Sequence, residues 1–174
     1  MNKILPLLAA AGLLLLSSCA SLQEKRLGFH TSENAAFPTS GSLDTYTGYR
    51  KAIVHYAERF LGLPYIHGGR SSDGFDCSGF TSYVLEEFGV DVSPCSRTQA
   101  GQGNAIDISE VKAGDLIFFR HSRQGAISHV AMVVRHDEKV LEVIHSTSRG
   151  VVIDNLNTSK YWLPKISHAR NVIE

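Results

Sequence analysis

The chain has 174 residues, 43% of them hydrophobic and 20% charged, and its 17 basic side chains balance its 17 acidic ones. That length suits a single domain. The neutral balance excludes the basic field expected of a protein whose main partner is nucleic acid, and the apolar content excludes a disordered chain. Three cysteines are too few for a disulfide scaffold.

The first element in chain order is an address. Lys3 precedes an apolar run from Ile4 to Leu16 that contains Pro6 and Gly12. A permanent spanning helix needs roughly 20 apolar residues, so residues 1–18 are expected to form a signal peptide. Leu16-Ser17-Ser18-Cys19 resembles a bacterial lipobox. The resemblance implies cleavage before Cys19 and acylation of its sulfur and amine with chains such as palmitate. Each buried methylene then contributes about 0.8 kcal/mol to membrane anchoring. Ala20 stands where an Asp commonly retains such a protein in the inner membrane, so the expected location is the outer membrane, facing the periplasm. The alternative is an ordinary secretory signal with an incidental Cys. Residues 19–44 are expected to form the lipidated tether: Ser21 to Asp44 lacks sustained periodicity and is rich in Ser, Thr, Asn and Gly.

The folded domain is expected over residues 45–174. Ile53, Ala57, Phe60 and Leu61 have helical spacing and predict a helix from Tyr49 to Leu61, stopped by Gly62 and Pro64. Gly68 to Gly74 reads as a loop. A second helix is expected from Cys77 to Phe88, with Asp76 as its N-cap, Phe80, Val84 and Phe88 on one stripe, and Gly89 beyond its end. Short β runs follow at Leu116–Phe119, His129–Val134, Val140–His145, Val151–Ile153 and Ala169–Ile173. Helices first and strands later predict an α+β domain with a central antiparallel sheet of about five to six strands.

The candidate chemistry lies on Cys77, His129 and His145. A Cys in the first turn of a helix feels the positive end of the macrodipole, which favours thiolate. The unpaired N–H groups there can face a developing oxyanion, and Gly79 permits close approach of a neighbouring turn. A buried structural Cys is the alternative. A hairpin turning at Asp137 would place His129 and His145 directly opposite each other, within reach of a hydrogen bond that fixes the tautomer of His129. Nucleophile, base and orienter would then be present together. A zinc site on these three residues is a weaker reading, since neither HExxH nor CxxC spacing occurs. No cofactor is required.

Five segments follow one another in order: Leu63-Pro64-Tyr65-Ile66-His67-Gly68-Gly69, Phe75-Asp76-Cys77-Ser78-Gly79-Phe80, Ala113-Gly114-Asp115-Leu116-Ile117-Phe118-Phe119, Ser128-His129-Val130-Ala131-Met132-Val133 and Val143-Ile144-His145-Ser146. Together they resemble the NlpC-type family of bacterial cell-wall cysteine endopeptidases. The resemblance implies a papain-like fold and hydrolysis of peptidoglycan stem peptides, typically between γ-D-glutamyl and a diamino acid. It implies Cys77 as nucleophile, His129 as base and His145 as the orienting third residue. It also implies Tyr65 near the oxyanion and substrate, with Asp76 and Ser78 holding the free N-terminus of the stem peptide. Alternatives are a related amidase or acyl transferase with the same triad, or a non-catalytic wall-binding lipoprotein. Cys95 and Ser96 are inserted relative to the family's usual Pro-Arg-Thr, which leaves the shape of that loop open. Cys95 reads as a free thiol. His30, His55, His67, His121, His136 and His168 read as surface or structural, with His67 the one placed to line a cleft.

Overall fold

The computed structural model describes residues 43–174, with side chains from Thr47 onward. The expected signal peptide, Cys19, His30 and nearly all of the expected tether lie outside the described residues. Helix α1 (Leu43–Glu58) is followed by a small hairpin, β1 (Arg70–Ser71) and β2 (Gly74–Phe75), and then by α2 (Cys77–Glu87) and the short α3 (Ser96–Gln99). Six strands complete the domain: β3 (Asn104–Ile106), β4 (Leu116–Arg120), β5 (Ile127–His136), β6 (Leu141–Thr147), β7 (Gly150–Asn155) and β8 (Ile166–Asn171). They form one antiparallel sheet in the order β3-β8-β4-β5-β6-β7. This is the expected α+β architecture.

The sheet is buried on both faces, and alternation along its strands assigns each residue to one of them. Leu116, Phe118, Val130, Met132 and Ile144 pack with Ile53 and Ala57 of α1 and Phe80, Val84 and Leu85 of α2. Ile117, Phe119, Ala131, Val133, Val143 and Ala169 form a second cluster with Leu156 and the half-buried Trp162. β4 therefore reads as an unbroken apolar run, because neither face meets water. The buried Arg50 of α1 donates to Asp115 (2.8 Å), to the Ala113 carbonyl (2.7 Å) and to Asn171 (3.0 Å), which ties the first helix to the start of β4 and the end of β8.

Several boundaries differ from expectation. α1 starts six residues earlier than predicted, since its first turns are polar and carry no apolar stripe. It also stops at Glu58: Arg59, Phe60 and Leu61 donate to carbonyls three residues back, which tightens the last turn before Gly62. Leu61, expected on the buried stripe, is exposed. The Gly68 to Gly74 loop contains the β1–β2 hairpin, and the inserted Cys95-Ser96 begins α3 rather than open loop. β3 was not foreseen, because Asn104-Ala105-Ile106 is too short to show alternation. The last strand runs Ile166–Asn171, not Ala169–Ile173; pairing with β4 and β3 sets its limits, and Ile173 enters the core beyond its end.

Candidate active site

Cys77 is the first residue of α2, placed there by a dense set of local bonds. Asp76 is the N-cap: its Oδ1 accepts from the Gly79 N–H (2.6 Å) and from the Ser78 hydroxyl (3.2 Å), and its Oδ2 accepts from the Gly68 N–H (3.1 Å). The Asp76 N–H donates to the Gly69 carbonyl at 2.9 Å. That approach requires glycine at 79, where a Cβ would stand 2.1 Å from the same carbonyl oxygen. From the sheet, the buried Ser146 hydroxyl donates to the Phe75 carbonyl at 2.6 Å. The strand that carries His145 thus also holds the segment leading into Cys77.

His129 and His145 are hydrogen-bonded, Nε2 to Nδ1, at 2.9 Å. The route differs from the expected one. Asp137 and Val140 close the β5–β6 hairpin with Glu138 and Lys139 at its tip, so the turn is centred beyond Asp137. His136 pairs with Leu141 and Arg135 with Glu142; then Val134 bulges, and Val133 pairs with Val143 and Met132 with Ile144. Continued, this register sets Ala131 across from His145, with His129 two residues further along. The two imidazoles are diagonal neighbours, not opposite ones. The bulge decides the outcome. Without the extra residue at Val134 the pairing would slip by one, and His145 would point to the other face from His129.

The chain of bonds continues to a residue that the sequence did not single out. His145 Nε2 lies 3.0 Å from Asp154 Oδ2, on β7. The same oxygen accepts from Trp162 Nε1 (3.1 Å) and from Arg149. Trp162 stacks on the His129 ring at 4.5 Å and 22° and lies 5.0 Å from His145. Asp154 and Trp162 come from the hairpin strand and loop beyond the motifs, with no local pattern to mark them. An ionised carboxylate only accepts, so His145 Nε2 carries a proton, His145 Nδ1 accepts, and His129 Nε2 donates to it. His129 Nδ1 is therefore left unprotonated and able to take a proton.

Electrostatics reinforce that assignment. Burial, then the neighbouring charges of His145 and His121, lower His129 to about 3. His145, fully buried, is also lowered, chiefly by burial, with Asp154 opposing. Burial and then the Asp76 carboxylate push the Cys77 thiol up to about 11; hydrogen bonds from the Val130 and Ser78 backbone and the Ser78 side chain act against this. The thiolate expected from the helix terminus is outweighed by desolvation, and the resting pair is neutral thiol and neutral imidazole.

The Val130 N–H that meets Cys77 belongs to the residue after His129, which brings the thiol to the strand of the imidazole. Tyr65 is exposed and close enough to Cys77 and Asp76 that, after burial, their charges raise its phenol. A cleft of about 670 Å³ is lined by Tyr65, His121, His129, Arg149, Asp154 and Trp162, among others. Cys77 is half-buried and not among the lining side chains; it neighbours the cleft residue Tyr65, and the Val130 backbone that meets it follows the cleft residue His129. His121 lines this cleft and His67 does not. His136 and His168 are structural, bonded to the carbonyls of Val111 (3.1 Å) and Ala100 (3.1 Å). Ser78 is buried and turned to Asp76, and Asp76 is occupied as a cap. Cys77 and Cys95 are not joined to each other in a disulfide. Among the described residues no group of three His, Cys, Asp or Glu side chains is arranged to hold a metal ion.

An α+β domain with a helix-start Cys and a sheet-borne His–His–Asp relay defines the class of a cysteine-nucleophile hydrolase fold. The family model described as NlpC/P60 matches residues 62–171, and the chain belongs to that family. It is 40% identical over 112 residues to a γ-D-glutamyl-L-lysine dipeptidyl-peptidase of Bacillus cereus, a match covering 63% of this chain and 32% of that protein. The chain thus spans about a third of that relative. The crystal structure of an NlpC/P60 family protein from Bacillus cereus superposes with a TM-score of 0.65 at 37% identity, covering 72% of this chain and 40% of that one. The NlpC/p60 domain of the peptidoglycan hydrolase SagA gives 0.57 at 33% identity, covering 70% of this chain and 97% of that one.

Proposed function

We propose that this chain is a lipid-anchored cysteine endopeptidase that hydrolyses peptidoglycan stem peptides at the γ-D-glutamyl–diamino acid bond. The observation that carries the reading is the proton order along Asp154, His145 and His129, which leaves His129 Nδ1 as a base on the strand that meets Cys77. The names of the relatives support the substrate class.

In this mechanism the Cys77 sulfur bonds to the amide carbonyl carbon while its proton passes to His129 Nδ1. The Cys77 N–H at the start of α2, with the Tyr65 hydroxyl beside it, stabilises the oxyanion. The C–N bond breaks as His129 returns the proton to the leaving nitrogen. Water, deprotonated by the same imidazole, then cleaves the thioester and restores the thiol. Asp76 serves as cap and turn clamp, and its Oδ2, which accepts from the Gly68 N–H alone, keeps a lone pair for the free amine of the stem peptide. Anchoring through Cys19 at the periplasmic side of the outer membrane completes the reading and rests on the lipobox resemblance and Ala20.

Mass spectrometry of purified muropeptides incubated with the protein tests the reaction. Wild type is expected to release a fragment ending in γ-D-glutamate, and Cys77→Ala to release none while keeping its circular dichroism. Unchanged turnover in Cys77→Ala would refute the mechanism. Labelling with a palmitate analogue tests the anchor; equal labelling of wild type and Cys19→Ala would refute it.

A further inference from the structure

A second cavity, of about 540 Å³, lies between the end of β4 with its following loop and the segment entering β8. Its lining includes Arg120, His121, Arg123, Lys165 and His168, and no acidic side chain. Among the described residues no carboxylate pairs with Arg120, Arg123 or Lys165. Some cations elsewhere on the domain do have such partners: Arg70 with Glu86, Arg135 with Glu142 and Arg149 with Asp154. The Arg120 Nε is buried and has no hydrogen-bond partner, an uncompensated donor of the kind that folded proteins seldom leave. Lys165 is held over the Tyr161 ring, 3.0 Å from its centre, and so is fixed at the rim.

The position of this cavity relative to the chemistry gives it a direction. His121 lines both it and the catalytic cleft, so the two are neighbours. Arg120 and His129 lie on neighbouring strands, where Phe119 pairs with His129 and Arg120 with Ile127. The imidazole that returns a proton to the departing nitrogen stands on the leaving-group side of the nucleophile. A cavity that borders the cleft on the strand next to His129 is placed to receive the fragment released first, and a peptide fragment released from the C-terminal side ends in a carboxylate.

We propose that the basic cavity formed by Arg120, His121, Arg123 and Lys165 is a leaving-group subsite that binds the free carboxylate of the released fragment. Guanidinium groups suit this role, because their fork matches a carboxylate in bidentate fashion. The subsite makes the protein selective for stem peptides whose C-terminal end is free, over those in which that carboxylate is amidated or cross-linked. This inference rests on the peptidase reading above.

The test compares kcat/KM of the full-length protein for L-Ala-γ-D-Glu-L-Lys-D-Ala and for its C-terminal amide. Wild type is expected to favour the acid by roughly tenfold or more, the size of a charge-assisted hydrogen bond. Arg123 is exposed, so its replacement leaves the core untouched. Arg123→Gln is expected to bring the acid-to-amide ratio close to one, Arg123→Glu to invert it and Arg123→Lys to retain most of it. Equal rates for acid and amide in wild type, or a ratio unmoved in Arg123→Glu, would overturn the subsite. If neither peptide is cleaved, the peptidase reading fails, and binding of L-Lys-D-Ala against L-Lys-D-alaninamide by calorimetry decides the subsite alone. Tighter binding of the acid, lost in Arg123→Glu, supports it, and equal binding overturns it.

Discussion

Replacing Asp154 with Asn probes the proton order on which the proposed mechanism depends. The carboxylate accepts from His145 Nε2 at 3.0 Å, from Trp162 Nε1 at 3.1 Å and from Arg149, all through Oδ2. Asparagine has nearly the same shape, but it offers a donor as well as an acceptor. Trp162 Nε1 and Arg149 only donate, so the asparagine oxygen takes the place of Oδ2 and still accepts from His145 Nε2, now as a neutral group. The order of protons is kept, but the negative charge that holds it, and that supports the imidazolium formed on His129, is lost. Loss of a hydrogen bond to a charged group costs about 1.5–3 kcal/mol, and that energy no longer supports the charged pair formed as His129 takes the thiol proton. The expected result is a fall in kcat of roughly tenfold to a hundredfold. KM should change less than kcat, because asparagine keeps the size of a side chain that lines the cleft and the main loss falls on the imidazole pair. The assay is steady-state cleavage of a γ-D-glutamyl-L-lysine peptide, with circular dichroism to confirm an intact fold. A fall in kcat of less than threefold, or a loss carried by KM, would refute the relay.

Gly79→Ala should destabilise the domain and abolish activity, since the new Cβ would meet the Gly69 carbonyl oxygen at 2.1 Å and neither backbone segment has room to yield; a melting temperature equal to that of wild type would contradict the packing described. Stability should be greatest near neutral pH and should fall as pH drops. His129 and His145 are held below the ordinary imidazole value, so the unfolded chain binds protons from about pH 6.5 downward while the folded chain resists them, His129 down to about pH 3. The drop in melting temperature between pH 7 and pH 5 should be smaller in His129→Gln than in wild type; an identical drop would show that this imidazole is not the cause.

Much of the site could be read from the chain because it is built by local bonds. Asp76 caps the helix that starts at Cys77 through contacts no more than three residues apart, together with the Gly68 N–H. Tyr65 also lies close to the thiol in sequence and in space. His129 and His145 belong to one hairpin, so their meeting needs only a short loop to close. The sheet order, by contrast, brings β8 between β3 and β4, and nothing in Ile166–Asn171 announces that place. The limits of α1 and β8 likewise follow from what they pack against.

The sequence by itself determined the α+β class, the helix-start cysteine and the choice of two histidines out of eight, because capping, apolar period and hairpin closure act over a few residues. Only the tertiary structure decided how those groups work together. The Val134 bulge, an accommodation between strands, sets His129 and His145 on one face. Asp154 and Trp162 join the relay because β7 pairs with β6 and the loop beyond it folds over the imidazoles. Burial, which belongs to the whole packed domain, overrides the helix terminus and keeps the Cys77 thiol protonated at rest. Spacing along a chain carries the first kind of information; desolvation and register arise only once distant segments have met.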